Sequence, residues 1–475
     1  MPGARFDNRV AFGVWINDFR NEPILHEDWP AVRIDARTIE DFSSTIDSLK
    51  AAQYTALDIF GLLTNRDWPL DIQSVVDRER KAQVDRCIDI AHASGIRIIY
   101  GLGVYSWGFE SIIKADPEVR GTNPLTLCGS KEKSRSWMRK VIDYVAGNFQ
   151  VDGFHLEVAD QGRCRCPECS EETSVAYYSR LNRETAQYIR GRWPHKTLLV
   201  NTSGYLPWGD CIRKDEFDRI YELGQHLDMF IDGGNHGLFV AENDRREFIA
   251  GLPCDYGTSG GFWVYPPQRW DRLRWFLPYI FRDGAHLEQL YRDGGRSCEL
   301  YLGPLVNPGV ELNVLCNGLK INDLSRPSEE VLSEAVERLY KPKNPAGRSA
   351  LVELFAQAEE AFFASWSPQR RPGVRKEHSD GIDALFEWSK SSPERAVPGE
   401  LFLEPLFGSE PGFPAYLAIH FDPEGRERYK RRLGQIQNQL RLLHNDFNDA
   451  GRIQRVRTCL QNTLADIERV QRAYP

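Results

Sequence analysis

Long apolar runs are what this sequence most plainly lacks. Nowhere does it carry the roughly 20 consecutive apolar residues of a membrane-spanning helix, so no membrane partner is expected. Basic character is in short supply as well: 60 Lys and Arg stand against 68 Asp and Glu, for a net charge of −8. No basic run interleaves with aromatics, which argues against a nucleic-acid partner. The opening residues, MPGARFDNRVAFGVW, carry no charged segment followed by a long apolar core and a cleavage site, and a cytoplasmic location is the expectation. No Gly-rich dinucleotide turn follows the first strand-like run, which disfavours an open nucleotide-binding sheet, and no organic cofactor is expected. The ten cysteines are scattered from Cys87 to Cys459, mostly singly, without the even framework of a disulfide-stapled domain. Most are expected as buried, reduced thiols.

What is present is a rhythm. A chain of 475 residues is long enough for two or three domains. Its first three hundred or so residues alternate short β-rich runs with amphipathic segments, the pattern of repeated βα units. The runs read as strands are 9–17, 55–60, 96–104, 153–158, 197–202, 227–232, 254–259 and 298–303. Eight strands separated by helices predict a closed (β/α)8 TIM barrel over 1–324. Segment 78–94 places Val84, Cys87, Ile88 and Ala91 on one helical face before Gly95 stops it, and segment 134–149 repeats the device. From 325 to 475 helices dominate, with a Pro- and charge-rich stretch at 367–380. Leu433, Ile436, Leu440, Leu443, Phe447, Ile453, Val456, Leu460, Leu464, Ile467 and Val470 have the spacing of an antiparallel helical pair. That pair packs on the barrel or joins two subunits into a homodimer.

Barrel enzymes carry their reacting groups at the carboxyl ends of strands. In strand four, Gly153-Phe154-His155-Leu156-Glu157, alternation turns His155 and Glu157 toward the axis; both are catalytic candidates, against the alternative of a buried ion pair that shapes the barrel. The loop that follows contains Cys164-Arg165-Cys166-Pro167-Glu168-Cys169. Cys-x-Cys-x-x-Cys suits thiolate coordination of zinc, and Cys128 in the preceding βα loop is the expected fourth ligand. Four thiolates would close the coordination sphere, so the zinc would be structural. A disulfide or unbonded thiols are the alternatives.

The run from Asp152-Gly153 through Glu157 and Asp160 to Cys164-x-Cys166-Pro167-x-x-Cys169 resembles the hexosaminidase-like and α-glucuronidase-like glycoside hydrolase barrels. It is nearest to their uncharacterised bacterial members with a Cys-x-Cys-x-x-Cys loop after strand four. The resemblance covers the barrel alone. It implies a glycosidase in which Glu157 is the general acid. Hexosaminidases carry an adjacent Asp and Glu at this strand end; here Leu156 occupies the Asp position, which argues against assistance by a substrate N-acetyl group.

Other strand ends supply partners. Glycoside hydrolysis needs a second carboxyl group, for which Asp18, after strand one, and Asp232, ending strand six, are the candidates. Asp255 lies too early in strand seven to serve, which tilts the reading toward inversion. Substrate-binding candidates are Trp15, Asn17, Asp58, Arg66, Tyr105, Trp107, Asp160, Asn201, Asn235, His236, Trp263 and Tyr301. The aromatics among them suit stacking on sugar rings. Arg66, Arg163 and Arg269 could clamp a carboxylate, as an acidic sugar would require. The leading expectation is an exo-acting glycosidase on a carbohydrate. Its rivals are an exo-sialidase pairing Asp18 with His155, a metal-dependent sugar isomerase using Glu157, Asp232 and His236, and a non-catalytic carbohydrate-binding barrel.

Overall fold

A computed structural model describes residues 3–23, 34–62, 78–105, 109–123, 126–157, 163–202, 212–233, 242–259, 272–273, 276–366, 421–443 and 446–473. Within them, eight parallel strands close into a barrel in chain order. They are β1 (Asn8–Trp15), β2 (Ala56–Gly61), β3 (Arg97–Gly103), β4 (Gly153–Glu157), β5 (Thr197–Asn201), β6 (Met229–Asp232), β7 (Asp255–Ser259) and β8 (Ser297–Tyr301). Each overlaps a run expected from the sequence, so the TIM barrel with C-terminal helices is the observed fold. Parallel strands are covered on both faces, and β2 is accordingly buried along its whole length.

Two apolar assemblies hold this arrangement. Val10, Ala56, Ile99, Leu199, Met229 and Ile231 point inward and plug the barrel as a cluster of their own. Outward residues such as Phe154, Leu156 and Leu300 join the larger core that the surrounding helices complete. Helix Arg78–Ala93 buries Val84, Cys87, Ile88 and Ala91. It ends where Gly95 takes φ +75°, a left-handed conformation that glycine adopts without a Cβ clash. No helix among the described residues is long and apolar enough to cross a membrane.

Helices Ser328–Tyr340, Pro345–Phe363, Pro423–Leu442 and Ala450–Ala473 build outward from Ile280–Arg292 and Pro308–Asn322 on the barrel flank. The apolar core runs from the barrel into them without a break. Leu433, Ile436, Leu440, Phe447, Ile453, Val456, Leu460, Ile467 and Val470, the stripe expected to pack or to dimerise, are buried within the chain itself.

The attachment has a polar clasp. Glu359 is buried and accepts the backbone N–H groups of Ile280, Phe281 and Arg282 at 2.6, 3.0 and 2.8 Å. Those are first-turn donors of helix Ile280–Arg292, which has no side-chain cap of its own. Burial pushes the Glu359 carboxyl up to about 7, against the downward pull of the three N–H groups. Truncation in Glu359→Ala would strand these donors in the core and is expected to cost about 2–3 kcal/mol. Urea unfolding would show this as a lower midpoint; an unchanged midpoint would make the clasp irrelevant to stability.

Candidate active site

Strand β4 sets the site. Phe154 and Leu156 are buried against the helix layer, so alternation turns His155 and Glu157 toward the axis. Glu157 closes the strand and is half-buried. Its register partners are Gly103 on β3 and Asn201 on β5, which places it at the carboxyl rim where barrel chemistry is done.

His155 lies one inward position deeper and is sealed: it, Asp58 and Glu299 all have 0% exposure. From β2, β4 and β8 these three side chains converge inside the barrel. His155 Nδ1 is hydrogen-bonded to Asp58 Oδ2 and lies 3.5 Å from Glu299 Oε1. Glu299 Oε2 accepts from Asn201 Nδ2 at 2.7 Å and Ser259 Oγ at 2.9 Å. Rings close the cluster: Phe60 and the imidazole form an edge-to-face pair at 4.9 Å and Phe12 lies 5.9 Å away. Phe60 fits because β3 offers Gly101, where any Cβ would come within 2.3 Å of the ring. His155, expected beside Glu157 as a catalytic group, and Asp58, expected to touch substrate, therefore sit beneath the rim. Their ligand atoms and that of Glu299 lie within 4.8 Å of one another. Sequence reading missed Glu299, although alternation along Cys298-Glu299-Leu300 turns it inward.

The triad's protonation couples to stability. Burial holds the Asp58 carboxyl well above the ordinary carboxylate range. Burial also pushes Glu299 up to about 7, and it pushes His155 down to about 4 against the opposing pull of Glu299. The His155 contribution is present above its ordinary 6.5 and lost as pH falls through about 4. The Glu299 contribution is present below its ordinary 4.5 and lost as pH rises through about 7. Between those ordinary values the two slopes offset each other. Asp58 remains, and with a raised pKa its contribution is lost as pH rises. The folded triad thus binds protons more tightly than the unfolded chain, and stability from this source falls as pH rises. Thermal unfolding from pH 6.5 down to 5 should show that slope, and Asp58→Asn should flatten it.

A second cluster borders the rim. Cys128, from the loop after β3, meets Cys164, Cys166 and Cys169, from the loop after β4. The four sulfurs lie within 4.8 Å of one another, with Cys128 Sγ 3.7 Å from Cys166 Sγ and 3.9 Å from Cys169 Sγ. A tetrahedral tetrathiolate ion with bonds of about 2.3 Å needs sulfurs about 3.8 Å apart, so the cluster could hold a metal ion. The loops are fitted to each other. A Cβ at Gly121 would fall 2.9 Å from Cys164 Cβ, the Thr122 N–H donates to Cys164 Sγ at 3.4 Å, and the Arg165 N–H donates to Thr122 Oγ1 at 2.6 Å. For Cys164, burial is outweighed by the Cys166 and Thr122 backbone donors, leaving it at about 7; burial pushes Cys169 up to about 12.

Other candidates are dispersed. Asp232 is buried with its carboxylate accepting from the Tyr256 hydroxyl at 3.0 Å. Its neighbour Ile231 belongs to the inner plug, so alternation turns Asp232 to the helix side, away from Glu157. Tyr105 is buried in the outer core with φ 60°. Tyr301 ends β8, half-buried, with its ring 5.7 Å from Phe12. Asn201 is buried and bonded to Glu299 and Ser259. Arg163 donates to the carbonyls of Thr173 and Glu172, a loop-fastening role. Asp255 opens β7 at the amino end of the barrel. The backbone puts Trp15 at the end of β1 and Asn17 and Asp18 in the 3₁₀ turn Ile16–Phe19; their side chains lie outside the described ones. Arg66, Trp107, Asp160, Asn235, His236, Trp263 and Arg269 lie outside the described residues.

No known family profile matches this sequence, and no curated protein matches it. Solved structures do resemble it. A GH138 enzyme targeting pectin rhamnogalacturonan II aligns with a TM-score of 0.59 at 10% identity, over 99% of this chain and 58% of that one. An O-GlcNAc hydrolase from Thermobaculum terrenum gives 0.46 at 13% identity, over 99% and 95%. The protein CpGH84B gives 0.46 at 11%, over 98% and 74%. This chain thus spans 58% of the length of the first of these structures. At such identities what is shared is the fold, a TIM barrel found among glycoside hydrolases.

Proposed function

We propose that this chain is a glycoside hydrolase, exo-acting on a carbohydrate, with Glu157 as its general acid. The observation that carries the reading is the place of Glu157: the half-buried, inward-facing carboxyl at the end of β4, above an interior closed by Phe12 and Phe60. A general acid must hold its proton where the scissile oxygen enters, and the carboxyl rim is where a barrel presents such a group. The barrel likeness to the GH138 enzyme supports the fold this chemistry would use. The isomerase alternative needs Glu157, Asp232 and His236 to converge, and the helix-side position of Asp232 disfavours it. The sialidase alternative needs His155 at the substrate, and its sealed position disfavours that.

We read the four-cysteine cluster as a structural zinc site, because a closed tetrathiolate sphere leaves no open position for catalysis. The zinc would tie together the loops after β3 and β4 on either side of Glu157. An acidic sugar remains part of the proposal through Arg66 and Arg269. A panel of chromogenic glycosides that includes uronides and sialosides tests the function. Turnover of one class, lost in Glu157→Gln, is the expected result; a folded, zinc-loaded protein inert on the whole panel would overturn it.

A further inference from the structure

The sealed triad leaves three buried atoms without a hydrogen-bond partner: Asp58 Oδ1, His155 Nε2 and Glu299 Oε1. Unpaired polar atoms are costly in a dry core, so where the protons sit can be reasoned out. The imidazole meets the Phe60 ring in an edge-to-face pair at 4.9 Å and the tilted Phe12 ring at 5.9 Å, and Nε2 has no polar partner. Against electron-rich aromatic faces an N–H is tolerated better than a bare lone pair. That puts the ring hydrogen on Nε2 and leaves Nδ1 to accept. Its partner, Asp58 Oδ2, is then the donor, and Asp58 is a neutral acid.

A carboxyl oxygen of Asp58 and one of Glu299 lie within 4.8 Å of each other, and the two that are left over, Asp58 Oδ1 and Glu299 Oε1, can join only if one of them carries a proton. Two bare oxygens would repel, and the Asp58 proton is already engaged, so Glu299 supplies the one between them. Its second oxygen accepts from Asn201 and Ser259. Glu299 is faced by Asp58 from β2, His155 from β4, Asn201 from β5 and Ser259 from β7; its register partner on β1, Val10, is apolar and belongs to the inner plug.

We propose that Asp58, His155 and Glu299 form one uncharged hydrogen-bonded chain, running from Asn201 through Glu299 and Asp58 to His155, and that it makes Asn201 a positioning residue for Glu157. The Asn201 N–H donors go to Glu299 and Ser259, and its carbonyl oxygen would then be the acceptor offered to its register partner Glu157. An acceptor there favours the protonated, proton-donating form of Glu157. This last step rests on the glycosidase reading; the uncharged chain does not.

Amides test the chain directly. In Asp58→Asn with Glu299→Gln, each amide N–H replaces a carboxyl proton and each carbonyl replaces its acceptor oxygen, so every link survives with no carboxyl left to titrate. The double variant is expected to unfold at or above the wild-type temperature at pH 6, because its amides take up no protons as the chain folds, whereas Glu299→Ala, which cuts the chain, falls by about 5 °C or more. A double variant as unstable as Glu299→Ala would overturn the uncharged chain. So would a second metal ion per chain that the amides abolish, because it would assign the triad to a cation. For the positioning step, Asn201→Ala is expected to shift the alkaline limb of the kcat/KM–pH profile down by about one pH unit on whichever glycoside is turned over. An unmoved limb would remove Asn201 from that role. If no glycoside is turned over, the glycosidase reading falls and the positioning step with it, while the unfolding comparison still decides the chain.

Discussion

Glu157→Gln is expected to lower kcat by about 10²–10⁴-fold with the fold intact, the usual contribution of a positioned general acid. Gln keeps the size and hydrogen-bonding reach of the side chain and removes only the transferable proton. The loss should depend on the aglycone. A poor leaving group needs the proton at the glycosidic oxygen as the bond breaks, while a good one departs with little help. A series of aryl glycosides graded by leaving-group acidity should therefore show the largest deficit at the poor end and a small one at the good end. Circular dichroism and thermal unfolding should match the wild type, since Glu157 is half-buried at the rim and lies outside the apolar plug. Wild-type rates across the whole series would remove Glu157 from the mechanism and move attention to Asp18.

The purified protein is expected to carry about one zinc per chain, and Cys169→Ser should remove it together with much of the activity. Structural zinc in small peptides is worth about 10–16 kcal/mol of folding free energy. Here the barrel has its own core, so part of that energy should appear as order in the two loops and the rest as global stability. Cys128, Cys164 and Cys169 are buried, and three of the ligands sit on a loop that begins directly after Glu157. Metal loss should thus depress kcat/KM at temperatures where the barrel is still folded. Elemental analysis, thermal unfolding and turnover on one preparation separate these effects. A metal-free protein as stable and as active as the wild type would sink the zinc assignment.

How much of this was legible beforehand follows from range. The barrel was written in local periodicity: apolar runs at the spacing of βα units place all eight strands, because parallel strands buried on both faces need continuous β-rich segments. The inward direction of His155 and Glu157 was equally readable, since alternation is a property of one strand. The Cys164, Cys166 and Cys169 group was visible as spacing, and only the choice of Cys128 reached beyond one loop.

What the linear sequence did not contain is depth. Alternation says that Asp58, His155 and Glu299 point inward; strand register and tilt decide that they meet each other, that Phe60 and Gly101 close over them, and that Glu157, one inward position beyond His155, reaches the rim. Asp232 makes the same point in reverse. It ends a strand, as a catalytic carboxylate should, yet the parity of β6, set by Ile231 in the plug, turns it toward Tyr256. Parity, register and closure arise from packing eight strands around one axis, and no window along the chain holds that information.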